Sequence, residues 1–289
     1  MTPQDFDYLR QLLRQRSGLV LSAEKQYLAE SRLLPVARKH GLAGLAELVE
    51  RLKAATFTAP IGVEVVEAMT TNESFFFRDK IPFDHFRDTI MPALMTARAR
   101  EKRIRIWCTA CATGQEPYSL AMGLKAIGPS LAGWKVEIVG TDISHEVLAK
   151  AKAGIYNQFE VQRGLPIQGL VKFFTQVGEA WQIAPEIRGM VQFRQLNLLN
   201  DFSSLGAFDL VFCRNVLIYF DQDTKIDVLN RLARQMPPDS FLVLGAAETV
   251  VGLTNAFKPM PERRGLYVPN TPALKPVPAS NVLKFAMKA

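Results

Sequence analysis

Apolar positions recur at helical spacing through the first eighty residues. Phe6, Leu9, Leu12 and Leu13 share one face, and the pattern stops at Ser17-Gly18, where glycine suits a left-handed helix end. Ser22 is placed to cap a second helix reaching about His40, with Gly41 as its stop. Pro35 falls inside that helix and predicts a kink or two shorter pieces, because proline lacks the N–H that the ladder needs. Leu42–Lys53 predicts a third helix. Ile61–Met69 predicts a fourth, with Val63, Val66 and Met69 apolar on one side and Glu64 and Glu67 on another. No strand-like alternation occurs before residue 100. Residues 1–80 are therefore expected to form a small helical domain, followed by a linker and connecting helix over 81–102.

After Lys102 the rhythm changes. Arg103–Ala110, Val136–Thr141, Val191–Leu196, Phe208–Cys213, Phe241–Ala246 and Leu266–Pro269 are short apolar strand candidates. Helices are expected from about Glu116 to Ile127, from Asp142-Ile-Ser144 onward, and from Asp223 to Gln235. Strands alternating with helices predict an α/β domain over 103–269, a doubly wound parallel sheet covered on both faces. Residues 155–190 break the alternation with Gly154, Gly164, Pro166, Gly169, Gly178 and Pro185, and predict an inserted antiparallel subdomain with a short helix. Residues 270–289 read as a flexible tail.

Composition narrows the class. The 289 residues are 48% hydrophobic and 22% charged, a globular balance, and no run approaches the roughly 20 apolar residues of a membrane span. The N-terminus carries no signal-peptide pattern, and three cysteines suit a reducing cytoplasm, so a soluble cytoplasmic protein is expected. Net charge is +7, yet residues 1–85 hold 11 basic and 11 acidic side chains, so the excess lies further on. Its densest run is Arg98-Ala-Arg100-Glu-Lys102-Arg103-Ile-Arg105, which fits either an acidic partner or a solvated helix end.

Ligands of a doubly wound sheet sit at the carboxyl ends of its strands, where the strand order reverses. Two features mark that place. Cys108-Thr-Ala-Cys-Ala-Thr-Gly114-Gln-Glu116 is a small-residue turn between strand and helix, and only Gly114 of a phosphate-cradling glycine pattern is present. A nucleoside without phosphates therefore fits better than a dinucleotide. Asp142, at the end of the next strand, is suited to accept bonds from two ribose hydroxyls, or equally to cap the following helix. Glu116 is likewise a ligand carboxylate or simply a first-turn acid favoured by the helix dipole. Cys108 and Cys111 match CxxC, but with histidines only at 40, 85 and 145 no metal set is completed, and the pair reads as small apolar filler. No metal is expected.

Five motifs taken together resemble the chemotaxis receptor glutamate methyltransferases, the CheR family. They are Met69-Thr-Thr-Asn72-Glu-Ser74-Phe-Phe-Phe-Arg78-Asp, Trp107-Cys-Thr-Ala-Cys-Ala-Thr-Gly-Gln-Glu116-Pro-Tyr-Ser, Gly140-Thr-Asp142-Ile-Ser, Asn197-Leu-Leu and Phe212-Cys-Arg214-Asn215-Val-Leu-Ile-Tyr219-Phe. They occur in family order across residues 69–220. The resemblance implies a Rossmann-like class I methyltransferase domain behind an all-helical domain, with S-adenosylmethionine as cofactor and S-adenosylhomocysteine as product.

By motif position, the resemblance implies that Asn72, Ser74 and Arg78 reach the cofactor from the linker. Glu116 would approach its methionyl or ribose part and Asp142 its ribose hydroxyls. Asn197 and Leu198 would flank the adenine, and Arg214 and Asn215 would close the methionyl side. A glutamate carboxylate is already ionised at neutral pH and needs no general base to take a methyl group, and Arg98 is the candidate for orienting it. The partner implied is the cytoplasmic helical bundle of a chemoreceptor, met by basic residues of the second helix. Lys25, Arg32 and Lys39 lie seven apart and share a face; Arg32 and Arg38 match the family positions. The stretch between Phe174 and Phe193 is shorter than in members that grip a receptor C-terminal pentapeptide, so methylation without that tether is expected. A monomer is expected, with neither nucleic-acid binding nor membrane insertion. Methylation of another substrate, or a non-catalytic adaptor, are the competing readings.

Overall fold

The computed structural model describes residues 1–56 and 59–270. The tail expected beyond residue 270 lies outside the described residues. Four helices form the N-terminal layer: α1 (Pro3–Ser17), α2 (Gln26–Lys39), α3 (Leu45–Ala54) and α4 (Pro60–Met69). At the head of α1 the Thr2 hydroxyl accepts from the Asp5 N–H while the Asp5 carboxylate accepts from the Thr2 N–H, and Gly18 ends the helix at φ 75°. Phe6, Leu9, Leu13, Leu33, Leu48 and Val65 meet in its core.

Two expectations change here. No break splits α2 at Pro35: one helix is assigned through it, preceded by a 3-10 turn over Ala23–Lys25. Pro35 and Ser31, whose carbonyl loses its partner, are both exposed, so the bond is lost on the solvent side, while buried Leu33, Val36 and Ala37 hold the helix down. In α4 the buried face is Ile61, Gly62, Val65, Val66 and Met69, and Val63 stands 36% exposed. At Gly62 the Arg16 guanidinium lies where a Cβ would stand.

From Thr70 to Lys80 the chain crosses to the second domain without regular structure. Phe76, fully buried, packs edge-on against Tyr156 and Phe174 of the insert at ring separations of 5.1 and 5.5 Å. A connecting helix follows as α5 (Ile81–His85), a π turn (Phe86–Ile90) and α6 (Met91–Ala97).

The second domain has seven strands in its main sheet. In chain order the strands of the protein are β1 (Arg103–Cys108), β2 (Lys135–Asp142), β3 (Ile155–Asn157), β4 (Phe174–Val177), β5 (Ala180–Ile183), β6 (Val191–Gln195), β7 (Leu210–Cys213), β8 (Phe241–Leu244), β9 (Phe257–Pro259) and β10 (Leu266–Pro269). The main sheet runs β6-β2-β1-β7-β8-β10-β9; β10 pairs antiparallel with both β8 and β9, and the rest are parallel. The antiparallel end, including β9, departs from the all-parallel expectation. Helices α7 (Gln115–Ile127), α8 (His145–Ala153) and α12 (Gln222–Arg234) cover it. One face buries Ile104, Ile106, Leu120 and Phe212; the other buries Trp107, Val211 and Leu229. Beside this sheet the insert holds a three-stranded antiparallel sheet, β3-β5-β4, with three short helices: α9 (Gln158–Gln162), α10 (Ile167–Phe173) and α11 (Pro185–Arg188). Among the described residues no helix is long and apolar enough to cross a membrane.

The linker and insert meet where Gly164, at φ 82°, lies so close to Phe76 that a Cβ would overlap the Phe76 carbonyl. Gly164→Ala is expected to cost about 2–3 kcal/mol, combining a left-handed backbone with a clash. Gly178→Ala, also left-handed at φ 60° but with open space around it, should cost about 1 kcal/mol. Thermal unfolding of the two variants side by side checks this; equal losses would mean that the contact at Phe76 is unimportant.

Candidate functional site

β1, β2, β6 and β7 all point their carboxyl ends toward one cleft, and the linker and the end of α1 form its roof. The cleft holds about 950 Å³ of empty space including its mouth. It lies at the reversal of strand order between β1 and β7. Asn72, Ser74, Arg78, Glu116, Asp142, Asn197, Leu198, Arg214 and Asn215 all line it.

Asp142 ends β2 and is 6% exposed. Its Oδ1 accepts from the Ser144 N–H at 3.0 Å and its Oδ2 from the Ala112 N–H at 2.9 Å. Helix α8 is capped instead by Ser144, whose hydroxyl accepts from Val147, so capping is not what Asp142 is there for. Burial pushes the Asp142 carboxyl above the usual range, against the pull of the amides of Ser144, Ala112 and Ile143. The carboxylate keeps acceptor capacity toward the cleft for a ligand hydroxyl. The turn across from it is held by Ala112 at φ 46° and Gly114 at φ 92°. Gly114 is packed against Ala151, Phe193 and Tyr118 with no room for a side chain. Cys108 and Cys111 are buried there as free thiols, and burial raises both well above the usual thiol range.

Glu116 and Arg214 form the deeper wall. The Arg214 side chain is 1% exposed; its Nη1 donates to Glu116 at 2.7 Å and its Nη2 to Asp79 at 2.7 Å and to the Arg78 carbonyl at 2.9 Å. Burial raises the Glu116 carboxyl while Arg214 pulls it down. On the linker, Arg78 donates to the Glu73 carbonyl and lies over the Phe75 ring, at the edge of the cleft. Asn197 uses its amide in part for structure: Nδ2 donates to the Arg16 carbonyl at 2.6 Å and Oδ1 accepts from Leu199 at 3.0 Å. One amide N–H and one lone pair stay available.

The helical domain is tied across this cleft. The Glu67 carboxylate accepts from the His145 N–H at 2.6 Å, Arg14 pairs with Asp221 at 2.7 Å, and Val20 donates to the Tyr219 carbonyl at 2.9 Å. Ser17 and Leu19 thus become part of the wall. Sequence reasoning missed them, and also Asp79 and Glu248. Asp79 stood next to Arg78 in a motif already singled out; Glu248 carried no signal beyond a carboxylate three residues after Gly245.

Arg98 is not at the site. It lies at the opposite, amino ends of the strands, paired with Asp209 at 2.8 Å before β7 and with both oxygens of Asp239 at 2.6 Å before β8. Two facing carboxylates at those strand ends account for its position. The basic stripe is also broken up. Arg32 turns inward to donate to the Met69 and Thr70 carbonyls, orphan acceptors at the end of α4, and Lys39 pairs with Glu64. Lys25 sits in the 3-10 turn before α2, so it is not a full heptad away along one helix. Lys25 and Arg38 are exposed with no salt bridge among the described residues. Arg98→Ala is expected to lower stability by about 1–3 kcal/mol, discounted for the half-exposed Asp239, and to leave ligand affinity in the cleft unchanged. Thermal unfolding and ligand titration check the two halves; lost affinity in a folded variant would return Arg98 to the site.

Comparison with known proteins covers both domains. Residues 4–70 match the all-alpha domain of CheR methyltransferases and residues 72–266 match their SAM-binding domain. The chain is 42% identical over 260 residues to chemotaxis protein methyltransferase 1 of Pseudomonas aeruginosa, covering 88% of this chain and 93% of that protein. It is 38% identical over 261 residues to chemotaxis protein methyltransferase 1 of Vibrio cholerae, covering 89% and 94%. A chemotaxis protein methyltransferase of Borreliella burgdorferi is 33% identical over 266 residues, covering 90% and 93%. With both of its domains matched in order, and a cleft of the kind a phosphate-free nucleoside needs, the chain belongs to the CheR family of S-adenosylmethionine-dependent methyltransferases.

Proposed function

We propose that this protein methylates glutamate side chains of chemoreceptor cytoplasmic domains, giving glutamyl methyl esters in chemosensory adaptation. The observation that carries the reading is the gathering of Asp142, Glu116 and Arg214 in one cleft under a helical roof, with no phosphate-cradling glycine loop. When bound there, the cofactor supplies a methyl group on a cationic sulfonium.

The residues of the chain have modest work to do. Asp142 would accept from the ribose hydroxyls. Asn197 and Leu198 would flank the adenine, Leu198 by apolar contact and Asn197 with its remaining N–H. Glu116 and Arg214 would orient the methionyl end, with Arg78, Asn72, Ser74 and Asn215 completing the wall. A substrate glutamate has an ordinary pKa of about 4.3 and arrives ionised, so no side chain need remove a proton. Rate then comes from alignment and from keeping water away from two opposite charges that cancel as the methyl moves. The roof formed by Ser17, Leu19 and the linker serves that exclusion. Of the four docking candidates, Lys25 and Arg38, exposed on the helical domain, are the two left to meet an acidic receptor bundle.

The insert supports action without a receptor tether. Its β4 and β5 are four residues each, joined through Gly178 and Glu179, a minimal hairpin. A tether raises effective concentration without altering the chemistry, so its absence leaves the site unchanged.

Incubation with methyl-labelled S-adenosylmethionine and a panel of receptor cytoplasmic fragments tests the function. Base-labile, volatile methanol is the expected product, marking a carboxyl ester. Asp142→Ala should weaken cofactor binding by about 10–100-fold, the loss of charge-assisted hydrogen bonds. Fragments lacking their last residues should be methylated within about twofold of the intact ones. Cofactor binding with no ester on any fragment would sink the substrate; a large loss on truncation would sink tether independence alone.

A further inference from the structure

Glu248 lies one wall away from the cleft, in the turn after β8. It is 9% exposed, and no salt bridge to it occurs among the described residues. Its carboxylate is held by four backbone N–H groups instead. Oε2 accepts from Asn215 at 2.8 Å and from Gly245 at 2.7 Å; Oε1 accepts from Val216 at 2.9 Å and from Leu217 at 2.8 Å. A buried carboxylate without a cation is costly unless its lone pairs are filled, and these charge-assisted bonds fill them. Gly245 makes the arrangement possible, since a Cβ there would come within 2.6 Å of Oε2 and 3.0 Å of the Asn215 nitrogen.

What those amides belong to gives the carboxylate its reach. Asn215 and Val216 line the cleft, and Asn215 is bent into the left-handed region at φ 57°. Arg214 directly precedes them. Leu217 begins the 3-10 turn that ends at Tyr219, whose carbonyl takes the Val20 N–H of the helical domain. The strap from Arg214 to Tyr219 is therefore one cleft wall and one interdomain tie. Three of its successive N–H groups converge on Glu248.

We propose that Glu248 is a positioning residue for the cofactor cleft: its buried carboxylate fixes the 214–219 strap in the shape that holds the cofactor and receives the helical domain. It acts through the backbone and does not touch the cofactor. The inference rests on the cleft being the cofactor site.

The geometry separates this from a general stabilising role. Glutamine at 248 keeps the shape but turns an NH2 group toward two of the four backbone donors, which releases at least one of the three strap amides. Alanine at 245 keeps the carboxylate and displaces it from the same amides. Both changes converge on one contact, so their effects should not add.

The test uses the full-length protein with S-adenosylhomocysteine titrated by calorimetry and S-adenosylmethionine kinetics alongside. Glu248→Gln and Gly245→Ala should each weaken S-adenosylhomocysteine binding by about tenfold or more, with the cofactor KM rising by more than kcat falls. The double variant should bind no worse than the weaker single one. A folded Glu248→Gln protein with unchanged affinity, beside an Asp142→Ala control that loses it, would overturn the proposal. Should Asp142→Ala also bind normally, the cleft assignment itself fails and takes this inference with it. If Glu248→Gln does not fold, Gly245→Ala decides, and wild-type affinity there is equally fatal.

Discussion

The guanidinium of Arg214 sits between two carboxylates that come from different parts of the chain: Glu116 at the head of α7 and Asp79 at the end of the linker. At 1% exposure it is out of water, so each of those bonds must be made, and each fixes a separate segment. Glu116 ties Arg214 to the turn after β1. Asp79 and the Arg78 carbonyl tie it to the irregular crossing that carries the helical domain. The cleft is the space left when these three segments are pinned to one cation. Phe76, buried against the insert, and the Glu67–His145 and Arg14–Asp221 contacts keep the roof from drifting away from that anchor.

A site held this way is not at its stability optimum. Burial raises the carboxyls of Asp142 and Glu116 above their ordinary values. A carboxyl whose folded pKa lies above its unfolded one favours the fold at low pH, and that contribution is lost as pH rises through the folded value. At neutral pH both groups therefore work against folding relative to low pH, a cost that Arg214 offsets in part at Glu116 and the backbone amides at Asp142. Buried carboxyls lining a cleft are what a ligand rich in hydroxyls and positive charge can use.

Much of this was legible in the order of residues. Helical spacing marked α1 through α4, apolar runs marked the parallel strands, and the small-residue turn before Glu116 marked the carboxyl edge where the cleft opens. The nine cofactor candidates came, Glu116 and Asp142 apart, from the family resemblance rather than from residue chemistry, and they line one cleft. Contacts between distant residues were not legible. Arg98 looked available because Asp209 and Asp239, more than a hundred residues away, had no visible link to it. Arg32 looked like part of a basic face because the carbonyls of Met69 and Thr70, which it binds, have no residue signature at all. Glu248 was invisible for the same reason, since all four of its partners are backbone N–H groups. At Pro35 the alternative of two shorter helices did not hold, because the lost bond lies on the exposed side and the buried face keeps α2 in one piece.

The most direct test of the central claim is the crystal structure of the protein with S-adenosylhomocysteine bound. The expected complex has the ribose hydroxyls on Asp142 and the homocysteine end against Glu116, Arg214 and the linker, with the Arg214 bonds to Glu116 and Asp79 intact. Nucleoside density elsewhere, or in this cleft with Asp142 more than hydrogen-bonding distance from the ribose, would contradict it.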